Sequence, residues 1–250
     1  MRIKYLENKV DPRVQNFNQL IQEKFPKLLR EKKPELFLVA GGDGAMLHAI
    51  HQNINEGIPF LGKAMGTLNF LMNQFENDTE TIKKLLNDEQ EISCFSSNAI
   101  EVSMNGKKLG EAVNDVILGD KLTNYFSYTI STELGDFDNF EIKGSGICIS
   151  TVIGSTAFNY NNNGQILPLN SGLLSITGVV SNRYLNDIIP IQEITIQGSG
   201  GNIYLSNINS AKFKKDDILT LRKGSEIQLA FLDKGEFLKR RIDIANRYRK

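Results

Sequence analysis

The sequence predicts an α/β domain followed by a mostly antiparallel, β-rich domain, and three observations carry that expectation. Residues 1–92 alternate apolar, strand-like runs with helical periodicity, the pattern of a crossover sheet. From about residue 93 the chain breaks into short strand-like runs separated by Gly, Asn and Asp. Between an apolar run and a helical pattern stands GGDG, Gly41-Gly42-Asp43-Gly44, a glycine-rich strand-to-helix turn that makes the first domain Rossmann-like. We therefore draw domains at 1–92 and 93–229, with the last stretch, about 230–250, a candidate to pack back on the first.

The elements follow in order. "RIKYL" (2–6) reads as a short strand. "PRVQNFNQLIQEKFPKLLREK" (12–32) puts Val14, Phe17, Leu20, Ile21, Phe25, Leu28 and Leu29 at helical spacing, which predicts one helix stopped by Pro34. "ELFLVA" (35–40) is a near-continuous apolar run, as in a parallel strand covered on both faces. "AMLHAIHQNI" resumes a helical period, "IPFLGKA" (58–64) is the next strand, and a helix over roughly 78–88 closes the domain. The second domain offers "AIEVSM", "AVNDVILG", "YFSYTIST", "FEIKG", "GICIST", "LLSITGVV", "EITIQG", "ILTLRK" and "EIQLAFL" as separate strands. Alternation such as Tyr125-Phe126-Ser127-Tyr128-Thr129-Ile130 fits half-buried antiparallel strands.

Composition bounds the task. The chain has 250 residues, 40 % of them apolar, which suffices for a sizeable core. Lys plus Arg and Asp plus Glu total 29 each, so no bulk charge draws the protein to nucleic acid or to an acidic membrane surface. That balance favours a small-molecule task. Cys94 and Cys148 lack CxxC spacing, so they imply neither a disulfide framework nor a metal site and read as apolar fillers. "MRIKYLENKV" has no apolar signal region, and no run approaches the roughly 18 apolar residues of a membrane span. The expectation is a cytoplasmic protein.

The chemistry centres on Asp43. A strand-to-helix turn gathers backbone N–H groups at the helix N-terminus, where anions bind, and glycines let a phosphate approach closely. A carboxylate there repels phosphate unless it serves a hydroxyl or a metal, the layout of a kinase that acts on an alcohol. The alternative is a tight turn in which Asp43 caps the following helix. His48, one turn after Gly44, is within reach of phosphate, or else is solvated or packs the helix. Asn114-Asp115 lies in an apolar run, where an amide and a carboxylate need partners; a β-bulge or a strand end is the other reading. "GSGICISTVIGSTAFNYNNNGQILP" (144–168) adds a second glycine-and-hydroxyl turn.

With "GKAMGTLNFL" (62–71), these segments resemble the NAD kinase family in the same order and at similar separations. That family carries a GGDG turn, a G-x-x-x-G-x-L-G-F loop, an L-N-E strand and a T-P-[TS]-G-[ST]-T-A-Y segment. The resemblance spans roughly residues 35–190, with "SNR" (181–183) as a further tripeptide. GGDG is shared with lipid kinases and phosphofructokinases; GSTAF with the Asn-acid pair is more specific.

The resemblance implies that Asp43 is the general base for the adenosine 2′-hydroxyl of NAD, with Gly42 and Gly44 making room for the phosphate chain. It implies that Asn114 and Asp115 bind a ribose and that Thr156, Ala157 and Phe158 pack on the adenine side. Phe70 stands beside the dinucleotide, although Phe70 and Phe158 are types that usually mean core. Lys143, Ser145 and Asn161 complete the candidate binding set, and no protein metal ligands are assigned. Mg²⁺ accompanies ATP or polyphosphate as donor, the product is NADP, the second domain binds NAD, and the assembly is a homodimer or homotetramer. The other readings are a non-catalytic NAD(P)-binding module and a diacylglycerol-type lipid kinase.

Several positions depart from the family pattern. Ala45 replaces the threonine after GGDG, Asn69 the loop glycine, and Asp115 the longer glutamate. Thr151-Val152-Ile153 replaces T-P-T. Lys143 and Ser145 stand where R-G-D-G has Arg and Asp, which puts a cross-subunit nucleotide contact in doubt.

Overall fold

The computed structural model describes residues 1–206, 208–233 and 243, in two compact units. One comprises Met1–Ser96 and the chain from Ile227; the other is Ser97–Glu226. The basic run that begins at Leu238 lies outside the described residues, except for Asp243.

The first unit begins with β1 (Ile3–Leu6) and α1 (Gln15–Lys24), then β2 (Leu36–Gly41), α2 (Asp43–Asn53), β3 (Phe60–Ala64) and α3 (Asp78–Leu86). The strands are parallel, in the order β1, β2, β3, and residues Leu229 and Ala230 add a further parallel rung beside Phe60 and Leu61. β2 is buried along its whole length, which is why its sequence is continuously apolar. α1 faces the core with Phe17 and Ile21, one turn apart, against Ile3, Leu36 and Leu38. It is shorter than the periodicity predicts. The helix stops at Lys24 and a 3-10 turn, Pro26–Leu29, carries Leu28 inward, because Pro26 has no N–H to continue the ladder. α3 starts where the Asn77 side chain accepts from the Glu80 N–H, and it buries Ile82 and Leu85.

The second unit is antiparallel throughout. Its strands are β4 (Ser93–Met104, entering from the first unit), β5 (Lys107–Ala112), β6 (Asp115–Gly119), β7 (Phe126–Thr132) and β8 (Phe140–Ser150). After a short α4 (Phe158–Asn161) come β9 (Leu173–Ser181), β10 (Asn186–Pro190), β11 (Ile194–Gly198), β12 (Gly200–Leu205), β13 (Ile208–Lys214) and β14 (Ile218–Phe231). Within the unit they run β14, β11, β7, β8, β6, β12, β13, and β9 lies along β8 with β10 outside it. Val116, Leu118, Ile130, Ile147, Ile149, Ile176 and Ile196 form the core.

Two pairs of runs read from the sequence as separate strands are single strands, β8 and β14. Their glycines are points of close approach rather than breaks. A Cβ on Gly146 would lie 2.6 Å from the Leu118 carbonyl oxygen, and one on Gly224 would lie 2.9 Å from the Glu101 nitrogen. "AVNDVILG" is the converse case: β5 ends at Ala112 and β6 begins at Asp115, so Asn114 sits in a bend between strands.

Candidate functional site

In the first unit, Gly42 is the N-cap residue of α2 and Asp43 is its first helical residue. The N-cap position thus belongs to Gly42 and not to Asp43. The Asp43 carboxylate reaches the loop after β3, where Oδ2 accepts from the Phe70 N–H at 2.9 Å and Oδ1 from the Leu71 N–H at 2.8 Å. The loop is tied to the turn a second time, by the Met65 N–H on the Gly41 carbonyl at 2.7 Å. Asn69 holds it in shape at φ 56°, with its side-chain amide on the Gly66 carbonyl. Phe70 is 8 % exposed, so its ring packs inward next to the amide that Asp43 grips.

Around the glycine turn opens a cleft of about 430 Å³, lined by Gly42, Gly44, Ala45 and His48 on one side and Asn8, Asp11 and Arg13 on the other. Gly44 has nothing within 4 Å of where a Cβ would stand, so the start of α2 faces open space. Backbone N–H groups at a helix N-terminus with room in front of them can receive an anion. Arg13 brings the cation. Asp11 grips its Nε and Nη2 at 2.9 and 2.6 Å and also caps the turn that carries it. Sequence reasoning missed Arg13, because a lone arginine 28 residues before the turn carries no local signal.

In the second unit, the bend at Val113-Asn114 is clamped from two sides. Ser206 Oγ accepts from the Val113 and Asn114 N–H groups at 3.0 and 3.1 Å. Thr151 donates its hydroxyl to the Val113 carbonyl at 2.7 Å and its N–H to the Asn114 carbonyl at 2.8 Å. Gly154 lies against the same bend so closely that a Cβ would stand 2.1 Å from the Asn114 carbonyl oxygen. Asn114 and Asp115 are 5 % and 1 % exposed, and Asp115 Oδ1 has no hydrogen-bond partner among the described residues. Burial pushes the Asp115 carboxyl up to about 6. The Cys148 thiol is raised well above its ordinary range by burial and then by the nearby Asp115 charge, consistent with an inert filler.

Thr156, Ala157 and Phe158 are half-buried, and Phe158 opens α4. Asn161 is exposed. Its neighbours do the anchoring: Asn159 donates to the Gln165 carbonyl and accepts from Ser175, while Asn162 donates to Thr177 and the Gly178 carbonyl. Lys143 is exposed on β8, and Ser145 is buried with its hydroxyl donated to the Leu122 carbonyl at 2.6 Å. The first unit thus gathers Gly42, Asp43, Gly44, His48 and Phe70. The second gathers Asn114 and Asp115 beside the 154–156 turn.

The fold is similar to that of yeast NADH kinase, solved in complex with NADH. The TM-score is 0.79 at 16 % identity, over 96 % of this chain and 86 % of that one. An NAD kinase from Archaeoglobus fulgidus, solved with ATP, shares the fold at a TM-score of 0.73 and 16 % identity, over 98 % and 97 %. Residues 4–90 match the family model of the ATP-NAD kinase N-terminal domain. Curated relatives named NAD kinase include one from Rickettsia bellii, 33 % identical over 60 % of this chain, and one from Xanthomonas campestris pv. campestris, 28 % identical over 73 % of this chain and 70 % of that one. The chain spans 58 % of the length of the Rickettsia bellii relative. The chain is thus similar to NAD kinases in its first ninety residues and in its fold.

Proposed function

We propose that the protein is an NAD kinase, which transfers the terminal phosphoryl group of ATP or polyphosphate to the adenosine 2′-hydroxyl of NAD and releases NADP. The observation that carries this reading is the placement of Asp43. Its carboxylate is fixed by two loop amides, and the glycines on either side of it, Gly42 and Gly44, line a cleft. Asp43 orients the 2′-hydroxyl and accepts its proton as the oxygen attacks the donor phosphorus. The loose transition state of phosphoryl transfer rewards positioning at least as much as basicity.

Donor phosphates lie toward Gly42, Gly44, His48 and Arg13 in the cleft. Asn114 and Asp115 take ribose hydroxyls, which would give the unpartnered Asp115 Oδ1 its hydrogen bond. Thr156, Ala157 and Phe158 pack on the adenine. No group of three or more His, Cys, Asp or Glu among the described residues is arranged to hold a metal. A divalent ion in this reaction is carried by the donor's phosphates, the usual mode for Mg²⁺. A homo-oligomer, with the exposed Lys143 near a neighbouring subunit, and a cytoplasmic location belong to the same proposal. No described helix is long and apolar enough to cross a membrane.

The test is NADP formation by the purified protein from NAD and Mg²⁺ with ATP or polyphosphate, read with an NADP-specific dehydrogenase. Activity that disappears in Asp43→Asn supports the assignment. Unchanged turnover in that variant removes the general-base role, and NAD binding without any turnover in the wild type would favour a binding module.

A further inference from the structure

The connection from β1 to α1 forms the wall of the cleft opposite the glycines, and two of its side chains are held still by their neighbours. Asn8 Oδ1 accepts from the Val10 and Asp11 N–H groups at 3.1 and 3.2 Å, which leaves Nδ2 as the free end of the amide. That nitrogen stands 3.8 Å from where a Cβ on Gly41 would lie. Asp11 grips Arg13 through Nε and Nη2, which leaves Nη1 free. Arg13 Nη1 and Gly42 Cα are each 3.6 Å from one point, the place of a Cβ on Gly66, so they lie no more than 7.2 Å apart. Neither nitrogen has a hydrogen-bond partner among the described residues. One connection therefore brings two fixed, unused N–H donors to the GGDG turn.

What these groups offer selects the ligand. Asn8 Nδ2 and Arg13 Nη1 can only donate, and so can the backbone N–H groups that begin α2. A metal ion finds no acceptor in that set, and a hydroxyl would leave its own proton without a partner. The two carboxylates of the same wall are engaged: Asp11 by Arg13, and Glu7 by Gln22 at 2.9 Å and Lys9 at 3.4 Å. Oxygens that only accept, those of a phosphoryl group, suit donors from both walls. Arg13 also adjoins Gly66, in the loop whose Phe70 and Leu71 amides hold Asp43. We propose that Asn8 and Arg13 clamp the donor's terminal phosphoryl group against the start of α2, which makes Arg13 a catalytic residue. The proposal rests on the NAD kinase reading.

In the transfer, the bond from phosphorus to the leaving phosphate oxygen breaks as the bond to the 2′-oxygen of NAD forms, and the hydroxyl proton passes to Asp43. Charge is spread over the equatorial oxygens of the group in flight, and donors already fixed on both sides stabilise it without reorganising. Two substitutions outside the core test this. Arg13 is exposed, and Arg13→Ala removes its donor. Asn8→Asp keeps Oδ1 for the Val10 and Asp11 amides and replaces the donor with an oxygen that repels phosphate. In steady-state NADP formation with ATP and Mg²⁺, each variant should lower kcat about hundredfold. NAD affinity by calorimetry and the melting temperature should stay at wild-type values.

A loss confined to KM for ATP overturns the clamp, because it would place the two residues on the donor away from the group in transfer. A fall in kcat accompanied by weaker NAD binding or a lower melting temperature also overturns it, since a disturbed connection then explains the loss. A wild-type protein that makes no NADP from ATP or polyphosphate overturns the kinase reading and the clamp with it. Wild-type NADP formation with kcat unchanged in both variants overturns the clamp alone.

Discussion

Two aspartates, one in each unit, have opposite surroundings. Asp43 is supplied with two backbone amides, while Asp115 is buried at the first residue of β6 with one oxygen lacking a partner. The second arrangement costs stability, and its pH dependence follows from the direction of the shift. A carboxyl raised from 3.8 to about 6 holds its proton more tightly folded than unfolded. Its charge therefore weakens the fold as pH rises from about 4 to about 6, reaching a plateau cost of about 3 kcal/mol above that range. In Asp115→Asn this component is absent. Urea unfolding between pH 4 and 7 should show the variant losing less stability than wild type as pH rises, and equal slopes would mean that the carboxyl is solvated. The same logic bears on Asp43→Asn. An amide keeps one acceptor oxygen and turns an NH₂ toward the other backbone N–H, so the variant should lose about 1–3 kcal/mol of stability besides its turnover. A control measurement of its fold and NAD affinity belongs with the assay.

At the scale of elements, the Asn114 bend is built by stretches far apart in the chain. Ser206 follows β12 at φ 48° and accepts two N–H groups that otherwise face a buried corner. Ser206→Gly deletes the hydroxyl at a backbone conformation glycine tolerates, so the lost acceptor is the main change. We expect a loss of about 1–3 kcal/mol in chemical denaturation with weaker NAD binding. A midpoint equal to wild type would show that water replaces the hydroxyl and that the clamp is dispensable. The sequence could not announce Ser206, because its partners are 92 and 93 positions away and a serine after a strand is unremarkable. Elements defined by local rules were legible: β1, β2, α2, β3 and α3 follow from apolar period and glycine or asparagine boundaries. The helix over 12–32 was over-extended because periodicity outweighed Pro26, and β5, β10, β12 and β13 were missed because polar residues and glycines interrupt their alternation. The halves of β8 and β14 were separated because a glycine in a strand reads as a break when no partner strand is in view.

For the molecule as a whole, 29 positive and 29 negative side chains leave no net charge, so attraction of a charged ligand depends on local geometry. If the protein binds NAD, ligand at about 100 times its dissociation constant stabilises it by about 2.7 kcal/mol. For a chain of this size that corresponds to a rise of roughly 5–10 °C in melting temperature. A melting curve indifferent to saturating NAD would contradict the binding assignment directly. The candidate site was legible as stretches, since GGDG, the 62–71 loop, Asn114-Asp115 and GSTAF stand out in one dimension. What those stretches touch was not legible. That Asp43 serves the loop amides, that Arg13 borders the cleft and that Asn69 carries an unanswered acceptor are facts of three-dimensional packing.

The contact between Gly154 and the Asn114 carbonyl has a consequence for how this protein can change over time. With the two backbones stacked where a single methyl group would lie 2.1 Å from an oxygen, neither segment can drift by itself. A lineage that remodels the bend must keep glycine at 154 or alter both stretches together. Random libraries should accordingly yield replacements at 154 only alongside compensating changes near 114, so the pair behaves as one heritable unit.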